Sequence, residues 1–371
     1  MTLYEQAFSS NIRRLRKLHG MMQKDLARMT GYSEKTISKW ETDGNIPSVD
    51  TLFRLAAIFH VNLDALFTDS ERRFFLGVDG GGTKTAFALA DCSGKIIRQL
   101  RLDASNPFDV GIEKTKEILH SGIVELCDGI PMASVSVFAG LAGLKSGIFA
   151  DSVYQYLGEF GFERYEIGSD NENIIASGLG DSDGITVIMG TGICSFAVCG
   201  GQRHRIAGWG YLIDNGGSAY NIGRDALSVY YSAYDGSSAE SPLTRRISEM
   251  AGGDGMRLLN DVYQNGKKVI ASFAEVVYEQ AEAGDAVACG ILEKNMKEVA
   301  RVIRSAAGFF SEKLEKIPVV IAGGLTEQSL TMKYLTDALG DTSRFDIKIL
   351  EQQPVEGAVL IARNLSRKSQ K

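Results

Sequence analysis

Three consecutive glycines lie between two apolar segments in residues 74–91, FFLGVDGGGTKTAFALAD, and they limit the folds open to this chain. Phosphate loops of the P-loop and dinucleotide-binding classes lead from their glycines into a helix. Here Thr83 precedes Lys84, and the residues TAFALA that follow alternate as in a strand. The pattern predicts a glycine-tipped hairpin of two antiparallel strands. Its N–H groups suit a polyphosphate, although three glycines alone are equally typical of a plain turn.

The second half of the chain repeats this pattern. Residues 184–200, GITVIMGTGICSFAVCG, again place glycines between two apolar strands, and PVVIAGG (318–324) ends in a glycine pair before a helix that begins LTEQSL. The repetition indicates an internal duplication, with two similar α/β lobes and one hairpin on each side of a nucleotide. Three such loops are harder to explain as turns than one.

Composition excludes several classes of protein. The 371 residues are 44% hydrophobic and 23% charged, which suits two or three globular domains. The net charge of −6 argues against a nucleic-acid coat over the whole chain, although a local basic face remains compatible with it. We find no signal peptide and no apolar run long enough for a membrane helix, so we expect a cytoplasmic protein without a membrane partner. The five scattered cysteines predict reduced thiols rather than disulfides or a zinc site.

Residues 1–67 carry helical periodicity. Within them, QKDLARMTGYSEKTISKWETDGNIPS predicts a short helix from Gln23, a turn at Gly31 and a second helix capped by Ser33. Ile37 and Trp40 would face inward and the polar residues outward. This is the arrangement of a helix-turn-helix domain.

The same stretch resembles the Cro-like (XRE) DNA-binding domains of phage repressors. The resemblance implies binding to a double-stranded DNA operator, by a homodimer because one such domain rarely suffices. It implies that the DNA-contacting residues are Gln23, Ser33, Glu34, Lys35, Thr36, Ser38 and Lys39. Residues 1–70 hold nine Lys/Arg against eight Asp/Glu, so base contact would depend on this patch and the RRLRK cluster at 13–17. A helical bundle that contacts only protein is the alternative. A short charged linker, residues 68–73, follows.

The remaining chain, from about residue 74 to 365, resembles the sugar kinase/actin/heat-shock ATPase superfamily and, within it, the BadF/BadG/BcrA/BcrD-type ATPases that include N-acetylglucosamine kinase. The resemblance implies a duplicated, two-lobed actin-like (ribonuclease H-like) fold, with lobes at 74–165 and 166–371. The motifs that carry it are VDGGGTKT (78–85), SNP (105–107), AGLAG (139–143), SDNENIIASG (169–178), GTG (190–192), GWGYLIDNGGSAYNIG (208–223), AGDAVA (283–288) and AGG (322–324).

This family resemblance implies phosphoryl transfer from MgATP to a sugar hydroxyl. Asp170 matches the catalytic base, although a carboxylate there could instead cap the helix that follows. Asp79 would face Mg²⁺ through water, because Mg²⁺ dehydrates reluctantly. The residues implied for ATP are Asp79, Gly81, Gly82, Thr83, Lys84, Thr191, Gly192, Gly323 and Gly324. Those implied for the sugar are Asn106, Gly140, Asp214 and Asn215.

One loop departs from the family pattern. Members commonly carry Gly-Asp-Glu-Gly-Ser after the GWG stretch, where an acid contacts the sugar, but this chain has Asn215 and Gly216 at the two acidic positions. Asp214 would take the place of the missing sugar-contacting acid only if the loop shifts. The basic triplet 203–205 is expected in a solvated turn. Two functions stay open: a DNA-binding regulator that phosphorylates an amino sugar such as N-acetylglucosamine, or a sugar and nucleotide sensor with weak or no turnover.

Overall fold

The computed structural model describes residues 1–67, 73–144, 147–311 and 315–367. The chain forms two compact units. The first consists of residues 1–180 and 352–371, and the second of residues 181–351. Of the predicted linker 68–73, only Arg73 belongs to the described residues.

The first unit begins with a helical domain that has its own core. Its helices are α1 (Leu3–Leu18), α2 (Gln23–Thr30), α3 (Glu34–Thr42) and α4 (Val49–Ile58), followed by a 3-10 turn at Leu63–Leu66. Gly31 ends α2 with φ 78°, and the Ser33 hydroxyl accepts a hydrogen bond of 3.1 Å from the Thr36 N–H at the start of α3. Ile37 and Trp40 are buried in the domain core. The predicted helix-turn-helix is therefore confirmed.

The first sheet follows the helical domain. Its strands are β1 (Phe74–Gly80), β2 (Lys84–Ala90), β3 (Ile96–Asp103), β4 (Val135–Leu141) and β5 (Arg164–Gly168), in the order β3-β2-β1-β4-β5. The first three strands are antiparallel neighbours, and β4 and β5 run parallel to β1. Its helices are α5 (Pro107–Val110), α6 (Ile112–Leu126), α7 (Ala150–Gly158) and α8 (Asp170–Leu179). The three-glycine segment thus lies in a hairpin, as predicted.

The second unit repeats this plan around a sheet of the order β10-β9-β6-β7-β8. The strands β6 (Gly184–Met189), β7 (Ile193–Cys199) and β8 (Gln202–Ala207) form the antiparallel meander, and β9 (Ile317–Ala322) and β10 (Phe345–Ile349) are parallel to β6. Its helices are α9 (Ala219–Tyr234), α10 (Pro242–Met250), α11 (Gly255–Asn265), α12 (Lys267–Glu282), α13 (Ala286–Ala307) and α14 (Ser329–Leu339). The matching strand orders confirm the predicted duplication.

The last helix, α15 (Pro354–Arg367), belongs to the first unit. Its apolar face is buried against the first sheet in a cluster that includes Phe75, Phe138, Val355 and Val359. At Gly77 the backbones approach so closely that a Cβ would lie 2.5 Å from the Val359 nitrogen. Apolar burial of this kind holds the helix to the sheet.

The boundary between the units therefore differs from the one expected between residues 165 and 166. The chain leaves the first unit only after Gly180 and returns to it at Gln352. The reason is packing: β5 pairs with β4 as an edge strand of the first sheet, and α8 packs beside α15.

Candidate functional site

Asp79 lies at the end of β1, directly beside Gly140 of β4. The Nδ2 atom of Asn173, on α8, donates to Oδ1 of Asp79 at 2.6 Å, to the Gly140 carbonyl at 3.1 Å and to the Val78 carbonyl at 3.3 Å. Asn173 is fully buried. A Cβ at Gly140 would overlap the Asn173 amide, so Gly140 admits this side chain. Sequence reasoning missed Asn173, although an asparagine on the buried face of a helix is the signal that would have found it.

Asp170 is the first residue of α8, one turn before Asn173. Ser169 occupies the N-cap position, so Asp170 is not the cap residue, and its Oδ1 accepts from the Asn171 N–H at 3.0 Å. Burial raises the pKa of Asp170. Burial also raises the pKa of Asp79 to about 6, with the Asp170 charge adding to the effect and the Asn173 bond opposing it. The first unit thus holds two neighbouring carboxylates with raised pKa values, a feature typical of functional sites.

The hairpin tip beside Asp79 presents backbone donors. The Gly81 N–H donates to the Lys84 carbonyl at 3.0 Å, while Gly82, Thr83 and Lys84 are exposed. In the described part of the chain, no group accepts from the N–H of Gly82 or Thr83. Two such donors and a lysine beside a carboxylate fit a phosphate with its cation.

The SNP segment meets this hairpin in the first unit. The Ser105 N–H donates to the Gly81 carbonyl at 3.2 Å. The predicted sugar residue Asn106 caps α5: its Oδ1 accepts from the Phe108 N–H at 3.2 Å, and its Nδ2 donates to Asp109 Oδ2 at 2.7 Å. That carboxylate oxygen would lie 3.0 Å from a Cβ on Gly82. Asp109 is therefore an acid at the site that sequence reasoning missed, although its spacing from Asn106 is typical of a capped turn.

The two glycine loops of the second unit meet at one edge of its sheet, because β6 and β9 are parallel neighbours. Thr191 and Gly192 are exposed at the tip of the β6–β7 hairpin. Gly323 has φ 100°, and a Cβ there would overlap the Met189 carbonyl at the end of β6. Gly324 is exposed, with no atom within 4 Å of the position of a Cβ.

The loop after β8 contains Asp214 and Asn215. The Asp214 carboxylate accepts from the N–H groups of Gly208 at 3.2 Å and Gly210 at 2.9 Å. Asp214 is thus engaged in folding its own loop, which speaks against the suggested substitution for a sugar-binding acid. The side chain of Asn215 is exposed, and no described residue bonds to it.

The basic triplet 203–205 was expected in a turn, but it lies in β8. Arg205 donates to the Gly208 carbonyl at 2.8 Å, and its guanidinium lies 5.4 Å from the centroid of the Trp209 ring. The expectation failed because glycines followed by basic residues are typical both of a turn and of an edge strand. The sequence alone therefore does not distinguish the two. The arginine steadies the loop that holds Asp214.

The helical domain presents a polar face on α3. Glu34, Lys35 and Lys39 are exposed, and Thr36 and Ser38 are partly exposed. The Ser33 hydroxyl lies 2.9 Å from that of Thr36. These five α3 residues with Ser33 thus share the outer side of the helix, as DNA contact would require.

Two residues expected at the DNA are engaged inside the domain. Arg16, from the 13–17 cluster, is buried and pairs with Glu41 through bonds of 2.6 and 3.0 Å. Gln23 donates to Glu41 at 3.0 Å. Arg16 therefore belongs to the domain core. Of the 13–17 cluster, only the other basic residues are left for the expected contact with DNA.

Within the described ranges, no helix is long and apolar enough to cross a membrane. All five cysteines are free thiols. Among those same residues, no group of three or more His, Cys, Asp and Glu side chains has an arrangement that could hold a metal ion. A cation at Asp79 would therefore need ligands besides protein side chains.

Comparison with known proteins gives two family matches. The model of the BadF/BadG/BcrA/BcrD ATPase family matches residues 76–362, and a helix-turn-helix model matches residues 12–66. An N-acetylmuramic acid/N-acetylglucosamine kinase of Clostridium acetobutylicum is 27% identical over 79% of this chain and 99% of its own length.

Solved structures extend the comparison. A candidate N-acetylglucosamine kinase from Chromobacterium violaceum is 26% identical, with a TM-score of 0.62 over 78% of this chain and 99% of that one. A ROK family transcriptional regulator, a homolog of the E. coli MLC protein, is 13% identical, with a TM-score of 0.52 over 98% of this chain and 96% of that one. At that identity the second likeness concerns the fold alone.

Proposed function

Since this chain belongs to the BadF/BadG/BcrA/BcrD ATPase family and carries a helix-turn-helix domain ahead of it, we propose that it is a DNA-binding regulator that phosphorylates an amino sugar from MgATP. The observation that carries the proposal is the cluster of Asp79, Asn173 and Asp170 in the first unit. The kinase names of two relatives support the choice of an amino sugar.

The residues of the cluster fit distinct tasks. MgATP, when bound, supplies the phosphoryl group and a cation that offsets its charge. Asp79 would hold the cation through water, and the free N–H groups of Gly82 and Thr83 would bind phosphate oxygens. In the second unit, Thr191 and Gly192 would bind phosphate and Gly323 and Gly324 the adenosine.

Asp170 would accept the proton of the sugar hydroxyl. Its raised pKa makes it a stronger base than an ordinary aspartate. It is exposed enough to be reached, and its position at the start of α8 is fixed by Asn173 one turn later. A base fixed in this way loses little freedom when it meets a substrate.

A coupled assay of ADP release tests the enzyme proposal on N-acetylglucosamine, N-acetylmuramic acid, N-acetylmannosamine and glucose. Asp170→Asn keeps the size of the side chain but removes the base, so we expect turnover to fall by about 10²–10⁴-fold. Affinity for the sugar should stay within a few-fold. Release of ADP by the native chain no faster than by Asp170→Asn, with every sugar, rules the proposal out.

A second candidate is a sensor without appreciable turnover. Asn215 and Gly216 replace the expected acidic pair, and the Asp214 carboxylate is already bonded to its own loop, which favours this candidate. Ligand binding would then change the affinity for DNA, which requires different ligand affinities in the two states. Titration of promoter DNA with and without amino sugar and nucleotide tests it, and unchanged affinity excludes it.

Operator binding belongs to both candidates. The exposed Lys35 and Lys39 on α3 are suited to contact DNA, and a homodimer would match two half-sites of an operator. The match of a helix-turn-helix model to residues 12–66 supports the DNA-binding part of the proposal.

A further inference from the structure

A cavity of about 220 Å³ lies within the second unit, between the loop after β8 and helix α13. Its apolar lining includes Ile193, Ile206 and Val302, and Trp209 lies beside them. The polar lining includes Asn215, Glu298 and Arg301. A protein cavity of about 150 Å³ accommodates benzene, so this one has room for a six-membered ring. Apolar walls with a few polar groups are typical of small-molecule sites.

Helix α13 holds the loop beside the cavity. The Oδ1 atom of Asn295 accepts from the Gly217 N–H at 3.0 Å. A Cβ on Gly216 would lie 3.0 Å from Cγ of Glu298 and 3.3 Å from Oδ1 of Asn295. Gly216 does not have a positive φ, so space rather than backbone conformation favours glycine there. The stem of Glu298 therefore fills the space into which a side chain at position 216 would extend.

The Glu298 carboxylate is both oriented and available. Arg301 Nε donates to its Oε2 at 2.8 Å, and the side chain is 33% exposed. Its Oε1 has no partner within the described ranges. The other acid in the lining, Asp214, bonds to backbone N–H groups through both of its oxygens. Among the described residues that line the cavity, Glu298 is thus the one whose carboxylate has an oxygen without a hydrogen-bond donor.

We propose that the cavity is a pyranose subsite in which Glu298 accepts hydrogen bonds from sugar hydroxyls, replacing the acid that the loop lacks at Asn215 and Gly216. This proposal rests on the proposed function and names its substrate class. The charged groups in the lining are Glu298, Asp214 and Arg301, with a net charge of −1. The subsite therefore favours a neutral N-acyl hexosamine over a sugar that carries a carboxylate.

Binding of N-acetylglucosamine to the full chain tests the proposal by calorimetry and, in a Trp40→Phe background, by Trp209 fluorescence. Glu298→Gln keeps the shape but loses the charged acceptor, so we expect affinity to fall by about 10–100-fold. The matched control is Glu293→Gln, because Glu293 lies on the same helix, pairs with Lys297 at 2.6 Å and does not line the cavity. The control should bind as the native chain does, and ADP affinity should be unchanged in both variants.

The outcomes separate the two proposals. If the native chain binds no amino sugar, the proposed function fails and the subsite with it. If the native chain binds and Glu298→Gln binds equally well, the subsite is wrong and the proposed function stands. Tighter binding of N-acetylmuramic acid than of N-acetylglucosamine would overturn the stated substrate class.

Relocating the carboxylate gives a second test. Glu298→Ala alone should weaken sugar binding. Adding Gly216→Glu should restore it to within about threefold, because the Cγ atom that lies 3.0 Å from a Cβ at position 216 is removed and the remaining contact of 3.1 Å with the Cβ at position 298 needs a shift of only a few tenths of an ångström. Circular dichroism checks whether both variants fold. A double variant that folds but binds no better than Glu298→Ala contradicts the replacement of the loop acid by Glu298.

Discussion

Nδ2 of Asn173 lies 2.6 Å from Oδ1 of Asp79, and this bond joins helix α8 to the end of strand β1. The same nitrogen donates to carbonyls of β1 and β4. Because Asp170 begins α8, the bond also fixes the proposed base relative to the proposed cation ligand within the first unit. One buried amide therefore orders two carboxylates with raised pKa values.

Asn173→Asp should destabilise the chain in a pH-dependent way. The variant replaces the donor by a second carboxyl group against Asp79, so the two charges repel. We expect a loss of about 3 kcal/mol in the free energy of unfolding at pH 8 and a smaller loss at pH 5, where the pair holds a proton. Urea titration measures both, with Asn171→Asp as the control on the same helix. Equal stability of Asn173→Asp and the native chain at pH 8 would contradict the assigned contact.

Asp79→Asn should stabilise the ligand-free chain above pH 6. The pKa of Asp79 is about 6 in the folded chain, against an ordinary value of 3.8. Its favourable contribution is therefore complete below pH 3.8 and is lost as the pH rises to 6. We expect a gain of about 2 kcal/mol at pH 8 that disappears near pH 4. Urea titrations at both values, with the exposed Asp151→Asn as control, check this; a gain independent of pH would refute it.

Gly323→Ala and Gly324→Ala form a matched pair. Gly323 has φ 100° and its Cβ would overlap the Met189 carbonyl, so the change should cost more than about 2 kcal/mol. Gly324 faces open space, so its change should alter stability by less than about 0.5 kcal/mol and lower only the affinity for ADP. Thermal unfolding and calorimetric titration with ADP measure the two effects. Equal stability of both variants would count against the close approach at Gly323.

Glu41→Ala should strongly destabilise the helical domain. Arg16 and Glu41 have side chains only 11% and 2% exposed, and removal of one partner leaves a buried charge, at a cost of about 3–5 kcal/mol. Fluorescence of Trp40 in a Trp209→Phe background reports this domain, because the chain has two tryptophans. Asp43→Asn, an exposed position, is the control.

The pH dependence of the same pair is opposite to that of Asp79. Burial of Glu41 acts to raise its pKa, but the bonds from Arg16 and Gln23 prevail and hold the pKa below its ordinary value of 4.5. The stability from this group is therefore complete above pH 4.5 and is lost as the pH falls through the lower folded value. Trp40 fluorescence during acid titration follows it. Loss of the domain on raising the pH from 5 to 8 would contradict the pairing.

Lys35→Ala combined with Lys39→Ala should weaken binding to the promoter DNA of the chain's own gene by at least about tenfold. Both lysines are exposed on α3. If they contact phosphates, the slope of log affinity against log salt should fall by about 2. Fluorescence anisotropy at several salt concentrations measures both. The control is Lys297→Ala with Lys333→Ala in the second unit, and equal loss in both pairs would disprove the assigned face.

Local signals explain what could be predicted from the sequence. Glycines between alternating apolar residues predicted both hairpins, and Gly31 with Ser33 predicted the turn in the helical domain, because turns and caps depend on a few adjacent residues. The resemblance to known families added the expected roles of Asp79 and Asp170, which stay predictions. These residues do lie together in the first unit.

Contacts between distant residues explain what could not be predicted. Asn173 meets Asp79 across 94 positions of sequence, and Glu298 on α13 approaches Gly216 in the loop after β8. The return of α15 to the first sheet likewise depends on which apolar faces find each other. Tertiary packing decides such contacts, and no short pattern encodes them.

The return of α15 to the first sheet also sets the order in which the parts of the chain can fold during synthesis. The helical domain completes its core by residue 67, whereas the first sheet receives Val355 and Val359 only after the entire second unit has been synthesised. During translation the helical domain can therefore fold roughly 285 residues before the sheet that contains Asp79 is complete. A ribosome that stops between these points releases a chain whose helical domain has its complete core but whose first sheet lacks α15.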